Sequence, residues 1–107
     1  MDEKPTLSVI VPTYNEVDNM SVLIPKLVEI LESEQIPHEI LVMDDNSPDG
    51  TAKEVERIAG DRENIRVVVR TRNRGLSPAV IDGYDEATGD ILLVMDADMS
   101  HPPEVTV

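Results

Sequence analysis

Asp96 and Asp98 stand two residues apart, directly after the apolar run Ile91-Leu92-Leu93-Val94-Met95. A run of that length and composition reads as a buried parallel strand. The two carboxylates then fall where strand gives way to loop, at the carboxyl edge of a sheet, which is where open α/β folds place ligands. Oxygen ligands in a loop suit a hard divalent cation, Mg²⁺ or Mn²⁺, that in turn grips a phosphate. Taken alone, Asp-x-Asp is equally compatible with a solvated acidic turn.

Two other polar segments change that balance. Pro12-Thr13-Tyr14-Asn15-Glu16 follows one apolar run, and Asp44-Asp45-Asn46-Ser47 follows another. In a parallel sheet all three loops converge on the same edge. A pocket there holds one aromatic ring, Tyr14, and several carboxylates that accept hydrogen bonds from a base N–H or a ribose hydroxyl. A metal at Asp96 and Asp98 neutralises a diphosphate. These parts describe a site for a nucleoside diphosphate, with or without an attached sugar. There is no Gly-x-Gly-x-x-Gly, which argues against a dinucleotide redox enzyme, and no Walker A lysine motif, which argues against a P-loop NTPase. Structural roles compete at several positions. Tyr14 also reads as a half-buried ring, Asp44 as a turn residue, and Asn15 and Asn46 as turn formers.

The elements that must position these residues alternate. Leu7 to Val11 reads as strand one, closed by Pro12. A helix follows in which Met20, Leu23, Leu27, Ile30 and Leu31 recur at helical spacing. Asp18 or Ser21 is its expected N-cap, and Pro25 is expected to kink it or to lie in its first turns. Glu39 to Met43 reads as strand two. Thr51 to Ala59 reads as a helix with Val55, Ile58 and Ala59 facing inward and Gly60 as its stop. Ile65 to Val69 is strand three, Ser77 to Ala87 a helix closed by Gly89, and Ile91 to Met95 strand four. The order β-α-β-α-β-α-β implies an α/β fold with right-handed crossovers and helices on both faces. The expected strand order is 3-2-1-4, half of a doubly wound, Rossmann-like parallel sheet.

Composition bounds the rest. The 107 residues suffice for one small core, and at 40% hydrophobic the chain is not of disordered composition. With no Phe, no Trp and two Tyr, that core must be built from Val, Ile, Leu and Met. Cysteine is absent, which excludes disulfides and thiolate metal sites. The acidic N-terminus does not read as a signal peptide, and no apolar run approaches the roughly 20 residues of a membrane helix. A net charge of −13 argues against a nucleic-acid-binding surface. It also means that phosphates are repelled unless a metal or a local basic patch intervenes. Arg66, Arg70, Arg72 and Arg74 cluster before Gly75; each reads singly as a solvated surface charge.

Four segments carry a resemblance. They are Ser8 to Glu16 (SVIVPTYNE), Val42 to Asp49 (VMDDNSPD), Arg74 to Ser77 (RGLS) and Met95 to Pro103 (MDADMSHPP). Together, in order and spacing over essentially the whole chain, they resemble the family-2 glycosyltransferases, and within that family the branch acting on dolichyl and polyprenyl phosphates. The resemblance implies a GT-A fold, with residues 1–107 forming the N-terminal, nucleotide-sugar-binding part of a longer domain. It implies GDP-mannose as donor, Mg²⁺ or Mn²⁺ as cofactor, a membrane-embedded polyprenyl or dolichyl phosphate as acceptor, and inversion at the anomeric carbon; the net charge already speaks against a nucleic-acid partner. It implies a cytoplasmic location, at the cytoplasmic face of a membrane through segments outside these residues, and says nothing of oligomeric state.

Carried over by position, Pro12, Tyr14 and Glu16 line the nucleoside pocket. Met43 contributes backbone beside the base, and Asp45 binds the nucleoside. Asp96 and Asp98 hold metal and diphosphate, Asp98 being the catalytic carboxylate, and Ala97 between them touches the nucleotide. Ser100, where the family often has Gln, is the remaining candidate metal ligand. The family's acceptor loop and later basic residues are expected beyond Val107, so the chain is expected to bind donor but to turn over little by itself. The alternatives are a non-catalytic nucleotide-binding fragment, a family-2 transferase using another nucleotide sugar, and a phosphatase of the haloacid-dehalogenase type with Asp96 as nucleophile.

Overall fold

The structure is a computed structural model and describes residues 6–71 and 76–95, with the backbone alone at 76 and 77. Seven elements follow in the order β1 (Leu7–Thr13), α1 (Val17–Ser33), β2 (His38–Asp44), α2 (Thr51–Ala59), β3 (Ile65–Val69), α3 (Leu76–Glu86) and β4 (Ile91–Val94). All the strand pairs are parallel, and their order is β3-β2-β1-β4, as expected from right-handed crossovers.

The two faces of the sheet are covered by different helices. Val9 and Val11 of β1 and Ile40 and Val42 of β2 point to one side, where they pack with Met20, Leu23, Ile24, Leu27 and Leu31 of α1 and Val55 of α2. Ile10, Leu41 and Met43 point to the other, against Ala79 of α3. Side chains alternate along each strand, yet both sets are fully buried, which is why the strands read as continuous apolar runs rather than alternating ones. On α1 the buried stripe includes Ile24 and Val28, whereas Ile30 lies at its margin. Gly83 sits where α3 crosses β1. A Cβ there would lie 2.6 Å from Ile10 Cγ2, so only glycine lets the helix approach this closely.

Several expected boundaries move. Strand one does not stop at Pro12 but runs to Thr13, in register with β2 up to Thr13↔Asp44. The reason lies in the ladder. Thr13 bonds toward β2, its carbonyl accepting from Asp45 N at 3.0 Å, while Ile10 bonds toward β4, its carbonyl accepting from Met95 N at 3.0 Å. Pro12, two residues on from Ile10, therefore lacks its N–H on the β4 side, and the β1–β4 register has already ended at Ile10↔Val94. Helix α1 begins earlier than Asp18 or Ser21 would allow as N-caps, with Glu16 at that position and no side-chain capping bond from it. Pro25 is the ninth of its 17 residues, inside the helix rather than in its first turn. Strand β2 gains a residue at each end, α3 runs one residue earlier at both ends, and β4 stops one residue short of Met95, whereas α2 and β3 fall where expected.

Candidate functional site

The register places Thr13 beside Asp44 and Asp44 beside Val69. The next residue of each strand, Tyr14, Asp45 and Arg70, therefore leaves the sheet at the same level. Tyr14 is 49% exposed there, the one large ring at this edge among the described residues.

The loops after β1 and β2 are tied together by the polar residues that separate them from their helices. Asp44 is buried and accepts from the Thr13 hydroxyl at 2.6 Å, the Ser47 hydroxyl at 2.6 Å and the Ser47 N–H at 2.9 Å. The Ser47 hydroxyl in turn accepts from Asn15 N at 2.8 Å, and the buried Thr51 hydroxyl from Glu16 N at 3.1 Å. Asn15 and Asn46 both adopt the left-handed conformation, with φ of 57° and 59°, which suits asparagine and confirms them as turn formers.

Asp49 explains the missing cap of α1. Its carboxylate accepts from Val17 N at 3.2 Å and from Thr51 N at 3.0 Å, so one anion serves the positive N-terminal ends of both α1 and α2. Burial pushes the Asp49 carboxyl up, but the Thr51 hydroxyl and the N–H groups of Val17 and Thr51 more than offset this and hold it below the ordinary carboxylate value. A cap 32 residues away in sequence gives no local signal, which is why helical periodicity alone placed the cap at Asp18 or Ser21.

Asp45 lies beside this frame. Its side chain is 11% exposed, and Oδ1 accepts from Arg70 Nη1. Arg70 is the residue that sequence reasoning assigned to solvent, and that assignment is wrong. Its side chain is 2% exposed, and its Nε donates to Asp82 Oδ2 of α3 at 3.0 Å. Its own N–H donates to Asp44 O at 2.7 Å. The available signal was position: β3 is parallel to the others, so a charged residue directly after Val69 reaches the same edge as the three polar loops. Arg66, farther down β3, is partly exposed and reaches Glu86 and Glu39 instead.

Of the residues expected at the nucleoside pocket, Pro12, Tyr14, Glu16 and Asp45 therefore share one edge of the sheet, at the ends of β1 and β2. Glu16 is half-buried and accepts from Asn19 Nδ2 at 2.6 Å. The Met43 side chain is fully buried in the α3-facing core, so only its backbone can face a ligand. Asp96, Ala97, Asp98 and Ser100 lie outside the described residues. Among the described residues no group of three or more acidic, His or Cys side chains is placed to hold a metal. The chemistry agrees: Asp44 and Asp49 spend their oxygens on N–H and O–H donors and Asp45 faces a guanidinium. Among the described residues no helix is long and apolar enough to cross a membrane.

Comparisons with known proteins agree with this architecture. The chain is 44% identical over 99 residues to the dolichol-phosphate mannosyltransferase of Pyrococcus furiosus, covering 92% of this chain and 27% of that protein. It is 46% identical over 98 residues to the enzyme of the same name from Saccharomyces cerevisiae, covering 91% of this chain and 37% of that one. The chain thus spans only 27% to 37% of the length of these relatives. Among solved structures it superposes on the mannosyltransferase PcManGT of Pyrobaculum calidifontis, in complex with GDP-Man and Mn²⁺, with a TM-score of 0.73 and 31% identity over 91% of this chain and 28% of that one. It superposes on mannosyl-3-phosphoglycerate synthase of Rubrobacter xylanophilus with a TM-score of 0.80 at 24% identity, over 95% of this chain and 34% of that one, a likeness of fold. The fold is the GT-A arrangement. Residues 8–106 match the model of glycosyl transferase family 2, and on that match the chain belongs to this family.

Proposed function

We propose that the chain is the donor-binding part of a metal-dependent glycosyltransferase that moves a mannosyl group from GDP-mannose to a dolichyl or polyprenyl phosphate, with inversion at the anomeric carbon. The observation that carries this reading is the tied pair of loops at the ends of β1 and β2, which holds Tyr14, Glu16 and Asp45 at one edge. The likeness to proteins named for dolichol-phosphate mannosyl transfer, and to a mannosyltransferase solved with GDP-Man and Mn²⁺, supports the choice of sugar, acceptor and metal.

In this reading Tyr14 offers a ring face to the base, and Asp45 and Glu16 accept from base N–H or ribose hydroxyl groups. Pro12 and the Met43 backbone close the pocket floor. Asp96 and Asp98 hold Mg²⁺ or Mn²⁺, with Ser100 as a further oxygen ligand and Ala97 against the nucleotide. The hard oxygen donors of this set fit such an ion. When bound, the ion supplies positive charge to the departing diphosphate. The family resemblance gives Asp98 the catalytic role, in which its carboxylate would serve the ion and the departing diphosphate. The acceptor phosphate is already an anion, so attack on the far side of the sugar requires no general base. A lipid acceptor would place the reaction at a membrane surface, and the family resemblance implies its cytoplasmic side.

The test is calorimetric titration of the chain with GDP, GDP-mannose and UDP-glucose, with and without Mn²⁺. GDP-mannose is expected to bind more tightly than UDP-glucose, and Mn²⁺ to strengthen GDP binding. Asp98→Ala removes the Mn²⁺-dependent part and leaves the far-UV spectrum intact, since a carboxylate serving a ligand contributes little packing. Equal GDP affinity with and without Mn²⁺ in the unmodified chain refutes the metal assignment.

A further inference from the structure

Arg70 joins three parts of the molecule at this edge. It follows the last residue of β3, its guanidinium reaches Asp45 in the loop after β2, and the same group reaches Asp82 on α3. At 2% side-chain exposure it has no surface to offer a ligand. Asp45, which it grips, is buried but less completely, with 11% of its side chain exposed, and follows β2 at the edge proposed to take the nucleoside. Asp82, at 51% exposure, anchors the other side of the guanidinium.

The chemistry of the pair is directional. A guanidinium is planar, with its donors in a fixed fork, so Nε held by Asp82 fixes where Nη1 points. A carboxylate that must accept from a base or ribose has two torsions to settle, and recognition requires it within about 0.5 Å of its productive place. Burial works against the charge on Arg70, but the hydrogen bonds and charges of Asp82 and Asp45 prevail and hold its pKa above the ordinary arginine value, so it stays a cation. Gly83, next to Asp82, is the residue that lets α3 approach β1.

We propose that Arg70 is a positioning residue for nucleoside recognition: braced by Asp82, it holds the Asp45 carboxylate in the orientation that reads the donor's nucleoside, without touching the donor itself. The proposal rests on the nucleotide-binding reading above. It assigns the α3 residue Asp82 a part in donor affinity, although Asp82 lies off the pocket.

The test is titration of the 107-residue chain with GDP in Mn²⁺ and, in parallel, with pyrophosphate in Mn²⁺, for Arg70→Gln, Arg70→Lys and Asp82→Asn. Supporting groups behind a metal-ligating side chain typically matter by about 10- to 100-fold, and an effect of that order is expected of a group that orients a carboxylate for a nucleoside. Arg70→Gln is expected to weaken GDP at least about tenfold, and Arg70→Lys, which keeps the charge but reaches one carboxylate only, to recover part of this. Asp82→Asn is expected to weaken GDP roughly two- to fivefold, because it leaves the Arg70–Asp45 pair in place. Pyrophosphate affinity stays the same in all three, since it does not involve Asp45. GDP affinity unchanged in folded Arg70→Gln or Asp82→Asn overturns the proposal, as does an equal loss for GDP and pyrophosphate, which marks a general loosening. If Arg70→Gln does not fold, Asp82→Asn at its half-exposed site decides alone. Absence of GDP binding by the unmodified chain overturns the nucleotide reading and the positioning role with it, whereas GDP binding indifferent to these substitutions removes only the latter.

Discussion

Replacing Asp44 separates a hydrogen-bond frame from mere loop polarity. Its carboxylate accepts three bonds, two from hydroxyls at 2.6 Å and one from a backbone N–H at 2.9 Å. In Asp44→Ala the Thr13 hydroxyl is left without this acceptor in a buried setting, at about 1–3 kcal/mol. The Ser47 N–H and hydroxyl lose theirs at a half-buried place, where water recovers part of the loss. Removing a buried charge returns some desolvation energy, so the expected net loss is about 3 kcal/mol. At roughly 0.05 kcal/mol per residue a chain of this size has about 5 kcal/mol in total. The variant should therefore keep only about 2 kcal/mol at 25 °C and remain mostly folded in the absence of denaturant. In urea, with a slope of about 1.5 kcal/mol/M, its midpoint falls by about 2 M.

Asp44→Asn behaves differently. Its amide can turn so that the carbonyl accepts from Ser47 N while the NH₂ donates to the two hydroxyls, which rotate to accept. Charge-assisted bonds become neutral ones, and the loss is about 1 kcal/mol. The assay is urea unfolding followed by far-UV circular dichroism. A midpoint shift below about 0.5 M for Asp44→Ala, or equal shifts for Ala and Asn, refutes the reasoning.

Two further outcomes follow from other parts of the fold. Glu39 is buried at the amino end of β2 and accepts from the Ser8 hydroxyl at 2.6 Å and Thr88 N at 2.6 Å. Burial raises its pKa, but the bonds from Ser8 and Thr88 and the charge of Arg66 bring it below the ordinary 4.5. Its stabilising effect is then fully present above about pH 4.5 and is lost as pH falls through the lower folded value. Urea midpoints of the unmodified chain and Glu39→Gln should differ most near neutral pH and converge below pH 4.5; a constant gap would show that the carboxylate charge is irrelevant. Gly83→Ala places a Cβ 2.6 Å from Ile10 Cγ2 and should cost about 1–3 kcal/mol by thermal unfolding. Ile10→Ala, which removes Cγ2, should relieve this contact in the double variant, and additive losses would mean that the close approach is not the cause.

The helix and strand alternation was legible because it is written in local pattern. Thr51–Ala59 and Ile65–Val69 emerge with their expected ends, since Gly60 at φ 55° and the β-branched run of β3 are signals carried by neighbouring residues. The order β3-β2-β1-β4 followed from chirality, which constrains parallel crossovers without knowledge of particular contacts. The convergence of Pro12, Tyr14, Glu16 and Asp45 followed from that order. What the tertiary structure alone decided are the relations between distant residues. Asp49 caps a helix that begins 32 residues earlier, so α1 starts at Val17 with no capping side chain of its own. Thr13 continues β1 past a proline because Asp44 lies beside it in register and because the missing N–H faces away from β2. Arg70 is buried rather than solvated because two carboxylates, from β2's loop and from α3, arrive around it. A charge in a sequence reads as surface by default, since the free energy of burying it depends on partners that only the folded chain brings within reach.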